Sequence, residues 1–446
     1  MSKHKAGTRQ TEDGHQDRLI AAWGLSGVLK HGRTLDQFEK AQPLSPLATE
    51  LLYGSCRHYY SLAAHVGPLL SQPIRKKDLD VWALLIVGAY QLLHTRVPDH
   101  AAIAATVAAS QALRQPWAKG LVNGCLRSLQ RANREIAAPG NDLPDALDQQ
   151  LQRIYGADYP ALAAALLQRA PMALRVNVCQ HSGAQYGAQL TAAGLAFRSG
   201  HAAETLILAT PVPAATLPGY GTGAVSVQDA GAQLAIAALD QLLPQATDGP
   251  LRILDACAAP GGKLFHLIER LQGNGHQAQF TALEQSPPRL AHLQEEAARL
   301  GHALDSNLTL LQGDARNRDW WDGAEFDLIL LDAPCTGSGT LRRHPDIKLL
   351  RDFSKLDDDI AVQNALLANL LPLLRPGAAM LYATCSILPA ENDARIGRAL
   401  KQAGPGRYRS VALDLPTGGS TERGWQLLPT DPDTDGFYYA GLVNLK

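Results

Sequence analysis

No stretch of the sequence is both long enough and apolar enough to cross a bilayer. The strongest apolar run, Trp82 to Leu93, is interrupted by Gly88 and Gln91 and reads as a buried helix. The polar start lacks the apolar segment of a secretion signal, so the cytoplasm is the expected location. Cysteine is scarce: Cys56, Cys125, Cys179, Cys257, Cys335 and Cys385 are all there is. None forms a C-x-x-C and no Cys/His cluster has zinc spacing, which argues against both a metal site and a disulfide framework. Free thiols are what remains, and a free thiol is ordinarily a small core residue. One that sits in a polar turn needs another explanation. Internal repeats are also lacking.

What is present is an ordinary globular composition, 46% hydrophobic and 19% charged over 446 residues, enough for two or three domains. The formal net charge of -1 conceals an asymmetry. Residues 1–137 carry 17 Lys/Arg against 10 Asp/Glu, a net of +7, and residues 138–446 carry 24 against 32, a net of -8. A basic module on an acidic body suggests that the first meets a polyanion while the second does chemistry; a solvated basic surface is the plainer alternative.

Residues 1–16 are polar and expected to form a disordered start. Residues 17–140 have helical periodicity almost throughout, as in Arg18–Leu29, Leu47–His65, Val81–Thr95, Ala101–Leu113 and Ala118–Arg134, and predict an all-helical domain. The turn-rich stretch Ala137 to Asp142 marks its end. Residues 141–224 mix helix and short strands and predict a small α/β connector. Over residues 225–446, apolar strands alternate with helices, the pattern of a parallel sheet wrapped by helices. The predicted strands are Arg252–Ala256, Gln279–Glu284, Leu308–Gly313, Phe326–Asp332, Ala379–Thr384 and Phe437–Leu445.

The first of these strands runs into Asp255-Ala256-Cys257-Ala258-Ala259-Pro260-Gly261-Gly262-Lys263 and then a helix. A glycine pair at such a turn lets the backbone approach a ligand at the carboxyl end of the strand, beside a helix N-terminus. It does not spell G-x-G-x-x-G, which weakens a nicotinamide dehydrogenase, nor a P-loop, since Cys257 and Leu264 stand where a Gly and a Ser or Thr are needed. The next strand ends offer acids instead. Glu284 is placed to accept from ribose hydroxyls and Asp314 from an adenine amino group. Adenosine held without a phosphate grip points to S-adenosylmethionine.

The fourth strand ends Asp332-Ala333-Pro334-Cys335-Thr336-Gly337-Ser338-Gly339 and the fifth Ala383-Thr384-Cys385-Ser386. Both loops are expected on the cofactor edge of the sheet, bringing one acid and two thiols together. Such a set suits C5 methylation of cytosine. A thiolate adding to C6 makes an enamine that attacks a methyl sulfonium, while an acid supports N3. That step needs one cysteine and the site offers two. Residue chemistry alone does not choose between them, and the Pro-Cys thiol of DNA cytosine methylation would select Cys335. Cys257 is expected to pack.

Asp332–Gly339 with Leu341–Lys348, Ala383–Ser386 with Pro389–Asn392, Ser226–Gln233 and Asp435–Ala440 together resemble the bacterial 16S ribosomal RNA cytosine-C5 methyltransferases of the RsmB (Sun/Fmu) type. Leu52-Tyr53-Gly54 with Arg57, and Lys119 to Gly124 with Leu126-Arg127, are similar to the NusB-like RNA-binding domain of that family. The resemblance implies an N-terminal NusB-like helical domain, the connector, and a C-terminal Rossmann-like class I methyltransferase domain. It implies S-adenosylmethionine held by Cys257, Ala258, Ala259, Pro260, Gly261, Gly262, Lys263, Glu284, Asp314 and Asp332, no metal, Cys385 as the nucleophile, and Cys335 as the residue that helps release product. Many relatives carry Asp where Glu284 stands and Phe where Tyr438 stands; the longer Glu bears only on the ribose grip. RNA is the expected partner, 16S ribosomal RNA favoured over another rRNA or tRNA, of a monomeric chain that meets neither DNA nor a membrane. The competing classes are a dehydrogenase, which explains neither loop thiol, and a non-catalytic RNA-binding factor, which has no use for Cys335, Cys385 and Asp332.

Overall fold

A computed structural model of the chain describes residues 5–132, 142–243, 249–302, 304 and 306–446. Two compact units divide it: Met1–Gln168 with Leu341–Ser354, and Arg169–Thr340 with Lys355–Lys446.

The first unit is helical. Its elements are α1 (Lys5–His31), α2 (Leu35–Ala41), α3 (Pro46–Arg57), α4 (Tyr59–Val66), α5 (Leu79–His94), α6 (Asp99–Ser110), α7 (Ala118–Arg131), α8 (Asp145–Tyr155) and α9 (Tyr159–Leu166). Helix α1 begins at Lys5, so helical backbone replaces most of the disordered start expected over residues 1–16; no proline interrupts the run into Arg18. Helix α2 was not anticipated because seven residues are too few to show a period. A reciprocal cap starts it, Thr34 Oγ1 accepting from Gln37 N at 3.2 Å and Thr34 N donating to Gln37 Oε1 at 3.1 Å. Helix α5 is apolar on nearly every side and buried from Ala83 to Leu92. Its one buried polar side chain in that run, Gln91, is satisfied by Arg18 Nε at 2.9 Å and Thr106 Oγ1 at 3.1 Å.

The expected helix Leu47–His65 is in fact two, broken at His58. Asp142 explains the break, accepting from Ser61 N at 2.6 Å and Ser61 Oγ at 2.7 Å at the start of α4. The expected boundary at Ala137 to Asn141 lies outside the described residues. Helices α8 and α9, assigned above to the connector, belong to the helical unit.

So does Leu341–Ser354, which the sequence places inside the methyltransferase-like half. Lys348 explains why. It is 2% exposed, its ammonium donates to the carbonyls of Arg57 and Asp142, and Tyr60 Oη donates to its carbonyl at 3.0 Å. Burial pushes the Lys348 pKa down to about 8. Asp346 Oδ2 accepts from Leu35 N at 3.0 Å, and Leu349 and Leu350 pack on the helical core.

The second unit holds two sheets. The smaller has the order β2 (Phe197–Ser199), β3 (Thr205–Leu208), β1 (Ala173–Val176), β4 (Val225–Val227), antiparallel throughout, with α10 (Gly183–Ala192) beside it in sequence. The larger joins β5 (Leu251–Asp255), β6 (Ala278–Glu284), β7 (Leu308–Gln312), β8 (Phe326–Asp332), β9 (Leu374–Thr384), β10 (Tyr408–Val411), β11 (Gly419–Ser420), β12 (Trp425–Gln426) and β13 (Tyr438–Asn444). Its order is β11-β12-β13-β9-β8-β5-β6-β7, with β10 paired to β13. Strands β5 to β9 are parallel, as expected, but β13 enters antiparallel against β9. The two- to four-residue strands β10, β11 and β12 carry too short a pattern to be read from sequence.

Helices α11 (Ala230–Asp240), α12 (Gly262–Gly273), α13 (Pro287–Leu300), Asp357–Leu370 and Asp393–Ala403 complete the unit. From β5 the chain moves outward through β6 and β7, then crosses back to β8 on the other side of β5. That reversal opens a crevice at the carboxyl ends of the strands, where ligands of such sheets bind. Two of the sequence motifs meet beneath it. Asp229 caps α11, accepting from Gly231 N at 2.8 Å, and accepts from Asp435 N at 3.2 Å, while Tyr439 Oη donates to Gly231 O at 2.7 Å. Among the described residues no helix is long and apolar enough to cross a membrane.

Candidate active site

Strand β5 ends at Asp255, and the chain turns through residues 256–261 into α12. Gly261 sits at φ +99°, and a Cβ there would lie 2.3 Å from the Phe265 ring, so the turn needs glycine on both counts. Asp255 is 2% exposed, with no hydrogen-bond partner for Oδ1 among the described residues. Burial, and then the nearby Asp332 carboxylate, push its pKa up to about 8. Lys263 sets its ammonium 2.6 Å from Asp332 Oδ2 at the end of β8 and 5.3 Å from the Phe437 ring centroid. Burial works against that ammonium, but Asp332 outweighs it and holds the pKa above the ordinary lysine value.

A cavity of about 230 Å³ opens at the ends of β5, β6 and β7, lined among others by Ala256, Cys257, Glu284, Asp314, Pro334 and Leu366. Three of the expected cofactor residues, Cys257, Glu284 and Asp314, thus share one space. Glu284 is buried, accepts from Ser286 N at 2.8 Å, and has Arg289 Nη1 3.5 Å from its other oxygen. Asp314 is gripped by Arg316, whose Nη2 lies 2.6 Å and Nε 2.9 Å from Oδ2, and this pairing lowers its pKa. Burial pushes the Cys257 thiol well up, which fits a packing residue. Pro260, Gly261 and Gly262 line a different cavity, of about 260 Å³, together with Arg175 and Arg299. Ala258 and Ala259 are buried. Sequence reasoning missed Arg289, which also donates to Ala259 O; a cation in the first turn after a strand-end acid was the available signal.

The apolar and acidic walls of the first cavity fit an adenosine moiety. Ala256, Pro334, Val362 and Leu366 offer faces for a base, and Glu284 and Asp314 offer acceptors for hydroxyl and amino groups.

The loops after β8 and β9 bring Cys335 and Cys385 together, Sγ to Sγ 3.4 Å. Hydrogen bonding to Cys385 and burial hold the Cys335 thiol well above its ordinary pKa. Ala333 N donates to Ala383 O at 2.8 Å and Gly339 N to Cys385 O at 3.0 Å. A Cβ on Gly339 would stand 2.1 Å from Gly436 O, so only glycine allows that backbone contact. Behind the cysteines lies a buried polar network that the sequence did not reveal, centred on Glu391 with Thr336, Ser386 and Gln363. Its signal was Pro389–Asn392, quoted above for resemblance without a role.

His201, Asp431 and Asp433 have metal-ligand composition, but they are engaged already: Arg198 pairs with Asp433, and His201 Nε2 at 3.0 Å and Thr417 Oγ1 at 2.5 Å meet Asp431.

Residues 241–443 match the family model described as 16S rRNA methyltransferase RsmB/F. Residues 15–131 match the NusB family, and residues 143–215 the ferredoxin-like domain of RsmF/B-like methyltransferases. Proteins named ribosomal RNA small subunit methyltransferase B from Erwinia tasmaniensis and Pseudomonas putida are each 39% identical to the chain, over 440 and 443 residues, covering 96% of it and 98% of each relative. The chain belongs to the RsmB/F methyltransferase family. A methyltransferase homologue from Pyrococcus horikoshii shares 27% identity and a TM-score of 0.56 over 67% of this chain and 94% of its own. Membership in RsmB/F removes the dehydrogenase alternative, and the ferredoxin-like match over residues 143–215 covers most of the expected connector, including α8 and α9, which group with the helical unit by contact.

Proposed function

We propose that this RsmB/F member methylates C5 of a cytosine in 16S ribosomal RNA, using S-adenosylmethionine, with Cys385 as nucleophile and Cys335 as the group that clears the C5 proton. The observation that carries the reading is the pair of sulfurs 3.4 Å apart beside the Lys263–Asp332 ion pair, on one sheet edge with the adenosine-sized cavity. The names of the relatives support the RNA class.

Glu284 and Asp314 would hold the adenosine moiety, and the turn from Cys257 to Lys263 the remainder of the cofactor. The Cys385 thiolate forms a bond to C6, and the C5–C6 electron pair moves toward C5. Charge building at N3 is met by the Lys263 ammonium, which Asp332 orients and keeps charged. Bound there, S-adenosylmethionine would supply the electrophilic methyl group that C5 takes, with a neutral thioether as the leaving group. Cys335 releases its own proton to solvent, and the resulting thiolate takes the C5 proton. The C6–S bond breaks, its pair returning to Cys385 as the double bond re-forms.

Bisulfite sequencing of total RNA from a strain lacking the gene tests the assignment: one 16S cytosine should lose protection, restored by the wild-type chain but not by Cys385→Ala. An unchanged 16S pattern with a lost tRNA or 23S site would move the substrate to that RNA.

A further inference from the structure

The sheet cannot by itself hold the two sulfurs in register. The β8–β9 ladder ends at Asp332 opposite Ala383, and both cysteines lie beyond it, in loops. The loops meet directly, Gly339 N donating to Cys385 O at 3.0 Å and Ser338 Oγ lying 3.0 Å from Ser386 Oγ, and Glu391 adds a tie at the residues that follow each cysteine. Its Oε1 accepts from Thr336 N at 2.9 Å and Gln363 Nε2 at 3.1 Å; its Oε2 accepts from Thr336 Oγ1 at 2.6 Å and Ser386 Oγ at 2.5 Å. Thr336 follows Cys335, and Ser386 follows Cys385. Gln363 Nε2 also donates to Pro334 O, just before Cys335, at 2.9 Å. One side chain, 0% exposed, therefore ties both cysteine loops together through neutral donors. Burying a carboxylate among neutral groups is a costly way to fill a core, since an apolar side chain would do so without the desolvation penalty. Its two oxygens, however, can gather donors from two loops at once, which no apolar side chain can do.

We infer that Glu391 is a positioning residue for methyl transfer: it locks Cys335 and Cys385 as a pair, so that both sulfurs meet one base, without itself touching substrate. This rests on the two-thiol reading above.

The test compares full-length Glu391→Asp and Glu391→Gln, with S-adenosylmethionine and a 16S ribosomal RNA transcript. Asp keeps the carboxylate but, one methylene short, reaches one loop only. Its kcat should fall by about 10²-fold, the cost of a misplacement near 1 Å, with RNA KM and cofactor Kd held within about threefold. Gln keeps the length, and the Thr336 and Ser386 hydroxyls can turn to accept from its amide, so it should stay within about tenfold of wild type. RNA-linked protein should also accumulate in Glu391→Asp as Cys335 loses its place. Wild-type kcat in Glu391→Asp, equal losses in the two variants, or losses in KM, cofactor Kd and melting temperature that track kcat would each overturn the proposal. Cys335→Ala and Cys385→Ala run alongside. Neither one trapping or losing activity would end the two-thiol reading; a selective kcat loss in Glu391→Asp would then still support positioning.

Discussion

Cys335 and Cys385, 50 positions apart in the chain, bring their sulfurs to 3.4 Å in the loops that leave two neighbouring strands of one parallel ladder. Two thiols in contact above a single sheet edge invite a division of labour, and substitution separates the roles. Cys385→Ala should abolish both turnover and any covalent complex. Cys335→Ala should transfer methyl yet fail to release RNA, leaving a slow band on a denaturing gel that nuclease collapses and that requires S-adenosylmethionine. The opposite pattern would exchange the roles.

Release should respond to pH. Cys335 faces Cys385, Glu391 and Tyr382; in the free chain hydrogen bonding to Cys385 and burial hold its proton on, and burial beside Glu391 still does so once Cys385 is bonded to C6. A thiol must ionise to take the C5 proton, so breakdown of the RNA-linked complex should accelerate as pH rises above neutral. Rapid-quench single turnovers from pH 6.5 to 9.5 measure this; a breakdown rate flat over that window would remove Cys335 as the base.

Asp255 predicts a stability profile. In the folded chain it keeps its proton up to about pH 8, whereas an unfolded Asp loses it near the ordinary value of 3.8. The native state therefore binds the extra proton between those limits, and stability should fall as pH rises through the window and level off above it. Asp255→Asn has no proton to lose. Its urea midpoint should vary less with pH, and it should be the more stable chain at pH 8, by a margin on the order of 1–5 kcal/mol. Parallel profiles for the two proteins would contradict the assignment.

The basic face of the helical unit should contribute to RNA binding through charge. Lys119, Arg127 and Arg131 are exposed along α7. Changing all three to Gln should weaken binding of a 16S transcript and reduce the slope of log K against log salt by about 2–3, while cofactor affinity is unchanged. An unaltered slope would mark α7 as a solvated face. Deleting residues 1–137 is a poorer test, because it would strip Leu349, Leu350 and the buried Lys348 of their packing.

Much of the molecule was legible in one dimension because it is local. The alternation of apolar strands and helices, the Pro260-Gly261-Gly262 turn, the acids Glu284, Asp314 and Asp332 at strand ends, and the two cysteine loops are all properties of a few adjacent residues. Periodicity and turn chemistry report such features directly. Helix α2 and strands β10 to β12 fell below the length at which a period shows.

Tertiary structure alone decided which distant residues meet. Strand register put Asp332 beside Ala383 and so set the two cysteine loops side by side. Burial of Lys348, donating to the carbonyls of Arg57 and Asp142, drew Leu341–Ser354 into the helical unit, although nothing in the local pattern of that segment announces it. Glu391 gained its meaning only when donors from both cysteine loops and from Gln363 converged on its two oxygens. Each of these depends on partners 28 to 291 positions away, and such pairings follow from packing and hydrogen-bond satisfaction across the folded chain, which no window along the sequence contains.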